Sequence, residues 1–358
     1  MEVSLTDVEK NVGPTTCLVT GGASFVGSHV VNRLLQAGHI VRATGRSKDK
    51  LETCLGHLLE NAPKSARLEY IEADLTQRGS FDQAVKECTH VFHVASPFIL
   101  NMKGPEAEKK IVKPAVEGVE NVLSAVLNTP SVKKVVMTSS IVAMCGDNLE
   151  HKKDPKDTIG YVGEEDWNSV STVWHGAYNY SKTLAEKKAW EMAKDASFEL
   201  ICVNPGFVLG PPICKGSGES ITFAKQCLEG KFRSGFPALY LSAVDVRDVA
   251  SSHTVAAFDA SASGRYLCAA EVRNMHDLLK NVGKKFSPEK NLVGPMTPVW
   301  LLWILSNIFR LLPWESLTPG LNKPMGLGNE RIQRDLGVHF ISAEQSLYDM
   351  LVCIEAWD

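Results

Sequence analysis

The chain has 358 residues, 44% of them hydrophobic and 22% charged, and a formal net charge of −3. That length buries a large core in one big or two modest domains, and the composition excludes disordered and fibrous classes. Acids and bases are interspersed, so neither nucleic acid nor a charged membrane surface is implied as a partner.

The first residues, MEVSLTDVEKNVGPTT, are polar and slightly acidic, and read as a short tail rather than a signal or transit peptide. TCLVTG (16–21) predicts strand one, and FVGSHVVNRLLQAG (25–38) a helix with Val26, Val30 and Leu34 on one stripe and Gly38 as its stop. HIVRAT (39–44), RLEYIEAD (67–74) and HVFHVAS (90–96) predict strands two to four, followed by a helix from Ala107 to Leu127. VKKVVMTSS (132–140) predicts strand five, and a long polar stretch (145–176) leads to a helix that opens with GAYNYSK. FELICVN (198–204) is strand six.

The alternation predicts an α/β protein with a doubly wound parallel sheet, the Rossmann arrangement. From PGFVLGPP onward Pro, Gly and Ser become denser. We therefore expect a nucleotide-binding domain over 13–204, with 244–270 returning to it, and a smaller C-terminal substrate lobe over 205–358. PVWLLWILSNIFRLLPW (298–314) is interrupted by Asn307 and Arg310, closed by Pro313, and too short to span a bilayer. It reads as a buried or substrate-facing helix, with interfacial membrane contact as the alternative. The nine cysteines, an odd number with no C-x-x-C pair, argue against a disulfide framework or zinc site and for a reducing compartment. The expected location is the cytoplasm.

VTGGASFVG lies between strand one and its helix, the context a dinucleotide fingerprint requires. Gly21 permits a tight turn and Gly27 close packing of helix on strand, while the helix start at Phe25 and Val26 presents backbone N–H groups to a pyrophosphate. Ser24 stands at the middle glycine position, where its hydroxyl could bond phosphate and Gly22 could relieve crowding. After strand two an NAD site would carry an acid about 20 residues from the fingerprint. VRATGRSKDK instead has Arg42, Arg46, Lys48 and Lys50. Arg46, with Lys50 nearby, suits a 2′-phosphate, so NADP(H) is the expected cofactor. Asp74, with Leu75 beside it at the end of strand three, is a candidate for the adenine end.

Residues four apart share a helix face, so Tyr178 stands beside Lys182 while Tyr180 points away. A free tyrosine has a pKa of about 10, and a neighbouring ammonium lowers it, which selects Tyr178 for proton transfer. Together, VTGGASFVG, TSSIVAM, YNYSKTLAEKKAW and VNPGFVLGPP resemble the extended short-chain dehydrogenase/reductases. The branch of dihydroflavonol, cinnamoyl-CoA and methylglyoxal (ketone) reductases is the most similar, and VDVRDVASSH, SGRYLCAA and NERIQRDLGVHFISAEQSL extend the resemblance over essentially the whole chain.

The resemblance implies that Tyr178 protonates the substrate oxygen, Lys182 bonds the nicotinamide ribose, and Ser140 bonds the carbonyl, with Ser139 as the alternative. It also places Pro205, Gly206 and Val208 in the nicotinamide pocket and Ala95 and Ser96 beside the riboses. The cinnamoyl-CoA reductase helix start N-W-Y-C-Y-G-K is replaced by GAYNYSK, which leans away from a CoA thioester. The expected activity is reduction of an aldehyde or ketone by a monomer or weak dimer. A hydroxysteroid or sterol dehydrogenase, a sugar-nucleotide epimerase, and an NADP(H)-sensing binding module are the alternatives. Phe98, Phe207, Phe223, Trp300 and Trp303 could wall an apolar pocket, although each reads first as a core residue.

Overall fold

The computed structural model describes residues 4–96, 102–154, 156–216, 218–308 and 314–357. Phe98 lies outside them. Short β-branched runs form the strands, and each amphipathic stretch after them folds back onto the sheet. β1 (Thr16–Thr20) leads to α1 (Phe25–Gln36), and β2 (Ile40–Gly45) to α2 (Lys48–Leu55). β3 (Arg67–Glu72), β4 (His90–His93), α3 (Lys113–Leu127), β5 (Lys134–Thr138), β6 (Gly160–Val162), α4 (Ala177–Ala193) and β7 (Glu199–Pro205) follow. The remainder holds β8 (Phe207–Leu209), α5 (Glu219–Leu228), β9 (Tyr240–Asp245), α6 (Val246–Phe258), β10 (Gly264–Cys268), β11 (Glu271–Asn274), α7 (Met275–Phe286), α8 (Val299–Asn307), β12 (Met325–Leu327), α9 (Glu330–Leu336) and α10 (Ala343–Glu355).

Seven strands form one parallel sheet in the order β10-β7-β5-β4-β1-β2-β3. The chain winds outward through β2 and β3 and then restarts on the other side at β4. The carboxyl ends of β1 and β4 therefore border the crevice where doubly wound sheets bind ligands. Val30, Leu34, Phe92, Val136, Val249 and Tyr266 fill one face of the sheet, and Leu18, Val91, Val122, Val135, Ala185 and Ala189 the other. β11, β9 and β8 make a second, mixed sheet. Leu209, Ile221, Leu278 and Leu347 are buried in a third core there, and Phe207 and Phe223 pack against it edge to face.

Three expectations change. The helix predicted from Ala107 is helical from Pro105 to Leu127, but passes through a π turn over 108–112. Pro114 has no N–H to donate, so the turn before it closes at longer range. Within the stretch 244–270, Gly264–Cys268 pairs with β7 at the sheet edge and α6 packs on the core of the large sheet. Trp300 and Trp303 are 64% and 49% exposed, not core residues. α8 is apolar almost all round and packs on one side, which leaves indoles outside. Cys54 at the end of α2 is joined to Cys214 after β8 as a disulfide across 160 residues, a pairing that cysteine spacing does not show. Among the described residues no helix is long and apolar enough to cross a membrane.

Candidate active site

Gly21 ends β1 with φ +66°, and a Cβ there would lie 3.1 Å from Ala95 of the neighbouring strand end. At Gly27 a Cβ would come within 2.2 Å of the Gly21 carbonyl. Both positions therefore require glycine. Ser24 caps α1, its Oγ accepting the Gly27 N–H at 3.1 Å, and this leaves its own O–H proton for a ligand. Gly22 relieves a different contact from the one expected, since a Cβ would meet that of Ala43 on β2 at 2.7 Å. The first-turn N–H groups of Phe25 and Val26 stand at the positive end of the helix dipole, where helices bind anions.

At the end of β2, Arg42 is spent on Glu69, 2.8 Å away, and on the carbonyls of Ala84 and Lys86. Arg46 and Lys50 are exposed at the start of α2, which Ser47 caps. Thr76 N–H and O–H hold the Asp74 carboxyl below its usual range; burial opposes them and Arg46 adds to them. Arg46 is thus near enough to Asp74 to favour its carboxylate, and Leu75 is the next residue. Leu75 in turn lines a cleft with Ala95, Ser96, Thr138 and Lys182. Gly206 is forced by the Ser242 carbonyl, 2.4 Å from where a Cβ would sit, and its N–H bonds Cys268 O. Pro205 ends β7 beside Cys268, and Val208 lies opposite Val244.

α4 starts at Gly176, which takes φ +69°. Two residues on, Tyr178 shares a face with Lys182, whose Nζ lies 5.9 Å from the phenol ring centroid. Burial holds the Tyr178 pKa above an ordinary phenol's, and the Glu219 carboxylate adds to this. The expected lowering by Lys182 is not seen, because desolvation outweighs an ammonium at that separation. Lys182 is itself pushed down to about 8 by burial, with Glu186 opposing.

Ser139 is buried and donates to Glu186. Ser140 caps the following turn by accepting the Val142 N–H, so its O–H remains able to donate.

Several residues escape the sequence reading. Glu186, fully buried, accepts from Ser139, from Asn204 at 2.7 Å and from Arg265 at 2.6 Å. The Arg265 guanidinium also lies 3.9 Å over the Trp167 ring. Glu186 follows Lys182 by one helical turn, and that spacing was the available signal. Thr20 and His93 pair on the face opposite Phe92, which strand alternation alone would show.

The glycine turn, the helix N-terminus at Phe25 and the exposed Arg46 and Lys50 fit a phosphorylated dinucleotide. A model of the 3-beta hydroxysteroid dehydrogenase/isomerase family matches residues 18–265. The chain is 32% identical to cinnamoyl-CoA reductase 1 of Arabidopsis thaliana over 98% of its length and 91% of that protein's. It is 34% identical to dihydroflavonol 4-reductase of Gerbera hybrida, covering 76% of this chain and 73% of the relative. The yeast methylglyoxal/isovaleraldehyde reductase crystallised with NADPH superposes with a TM-score of 0.77 at 25% identity, over 96% of this chain and 98% of that one. The resemblance to this reductase branch, and the parallel-sheet fold, are borne out.

Proposed function

The chain belongs to the 3-beta hydroxysteroid dehydrogenase/isomerase family, and on that premise we propose that it reduces an aldehyde or ketone to the alcohol with NADPH. The observation that carries the reading is Tyr178 and Lys182 on one face of α4, with Lys182 opening into the cleft at the β1–β4 switch point.

Bound NADPH supplies the hydride. Tyr178 O–H protonates the substrate oxygen, and its raised pKa keeps it a proton donor at neutral pH. Ser140 O–H orients the carbonyl, while Ser139 is committed to Glu186. The Lys182 ammonium bonds the nicotinamide ribose.

Arg46 and Lys50 hold the 2′-phosphate, Asp74 and Leu75 border the adenosine, and Gly21, Ser24, Phe25, Val26 and Gly27 hold the pyrophosphate. Ala95, Ser96, Pro205, Gly206 and Val208 line the nicotinamide half. Residues 205–358, apart from the returning stretch, would supply most substrate contacts. A cytoplasmic location is part of this proposal, and the Cys54–Cys214 disulfide is a feature that opposes a reducing setting.

The test is NADPH oxidation against a panel running from methylglyoxal through aryl aldehydes, flavonoid ketones and steroids. Tyr178→Phe should lower kcat by about 100-fold or more with NADPH binding retained. Equal turnover by parent and variant defeats the proposal.

A further inference from the structure

Thr20 and His93 occupy positions where the sheet is otherwise apolar. Leu18 and Val91, paired across β1 and β4, enter the core beneath α3 and α4. Thr20 and His93, the pair two residues on, continue that file to the strand ends and are 0% and 3% exposed. Two polar groups so placed cost free energy unless their hydrogen bonds are completed.

Their bonding fixes a tautomer. Thr20 Oγ1 accepts the Ala95 N–H at 3.0 Å and lies 3.0 Å from His93 Nδ1. If Nδ1 carried the proton, the hydroxyl would receive two donors and its own buried proton would have no acceptor among the described residues. Thr20 O–H therefore donates to Nδ1, and the ring proton sits on Nε2. Burial, with the Lys182 ammonium nearby, pushes the imidazole down to about 3, so it is neutral.

His93 and Lys182 line the same cleft, walled by Leu75, Gly118, Met137 and Ala185. Each is more than nine-tenths buried, and neither Nε2–H nor the Nζ hydrogens meet an acceptor among the described residues. Glu186, the carboxylate one turn along, is already occupied by Ser139, Asn204 and Arg265. Two donors that share a cleft need an oxygen between them. The cavity they share has about 10 Å³ of room, the size that holds a single water.

We propose that His93 is a positioning residue, holding with Lys182 one water whose oxygen accepts from both Nε2–H and the ammonium. Lysine has a flexible four-carbon stem. Anchored by this water, Nζ is kept at one place below Tyr178. The role rests on the reductase reading above.

A crystal structure of the unmodified protein with NADPH should show a water within about 3.2 Å of both nitrogens. No oxygen there, or a cofactor atom in its place, overturns the proposal. In solution, His93→Leu should lower kcat about tenfold at saturating NADPH, the scale of one hydrogen bond, with the NADPH Kd within about twofold. His93→Gln keeps an N–H at similar reach and should stay within about threefold of the parent. Equal losses in both variants, or a loss confined to KM, refute the role.

If His93→Leu does not fold, Thr20→Val removes the donor that fixes the tautomer. It should lower kcat about threefold, and an unchanged kcat counts against the proposal. Should Tyr178→Phe retain full turnover, the reductase reading fails first. An inactive Tyr178→Phe beside an unaffected His93→Leu defeats only the water site.

Discussion

Arg265→Met tests what holds α4 against the sheet. Arg265 lies on the edge strand β10, yet its guanidinium reaches beneath α4 to Glu186, Nε to Oε1 being 2.6 Å. The two side chains are 9% and 0% exposed. Removing one partner of so buried a pair leaves an uncompensated charge and costs about 3–5 kcal/mol. Ser139 and Asn204 still donate to the carboxylate, which argues for the lower part of that range. The carbonyls of Glu164 and Asp166 lose their Arg265 donor as well, which pushes the cost back up.

An unfolding entropy of about 2.1 cal/mol/K per residue over 358 residues is roughly 0.75 kcal/mol/K, so the expected fall in Tm is about 4–7 °C. The assay is thermal unfolding at pH 7 of the parent, Arg265→Met, Glu186→Gln and the double variant. The double variant no longer strands a charge, and should be more stable than the sum of the single losses by about 2 kcal/mol. A melting point within about 1 °C of the parent for Arg265→Met, or strict additivity, refutes the reasoning.

Arg46→Ala should raise KM for NADPH about 10–100-fold, the loss of one or two charge-assisted bonds, and leave NADH use unchanged. Equal effects on the two cofactors would remove Arg46 from the phosphate site. Lys182 is held at about 8, so its ammonium is present below that pH and lost above it. Reductase activity at saturating NADPH should therefore decline as pH rises through about 8, and a flat profile from pH 7 to 10 contradicts this assignment. Reduction of the Cys54–Cys214 bond relaxes a loop of 160 residues, for which chain entropy sets an upper value of about 5 kcal/mol. Dithiothreitol should lower the Tm of the parent and not that of Cys54→Ser; an identical response from both would show that the crosslink does not stabilise the chain.

The local parts of this molecule were legible in its sequence. TCLVTG and VKKVVMTSS mark strands that the structure places at Thr16–Thr20 and Lys134–Thr138, because hydrophobic runs bounded by turn residues need no distant information. The pairing of Tyr178 with Lys182 followed from helical spacing alone. What stayed hidden depends on contacts far apart in the chain. Arg265 reads as one more charged residue until β10 is placed beside β7 and brings it under Glu186. Cys54 and Cys214 carry no mutual signal, and Trp300 looks internal by composition although its helix packs on one side only. The Tyr178 pKa was misread for a related reason: a helical wheel gives the neighbouring ammonium but not the depth of burial.

The placement of β10 has a bearing on how the protein can be cut and recombined. The strand outside β7 comes after β8, β9 and α6 and before β11, so the chain returns to the large sheet between two strands of the second one. A fragment ending near Pro205 would leave β7 as a bare parallel edge, a template for self-association. Exchange of the lobe with a relative would instead have to carry two stretches together, one on each side of α6 and β10, because Ile221 before them and Leu278 and Leu347 after them share one core.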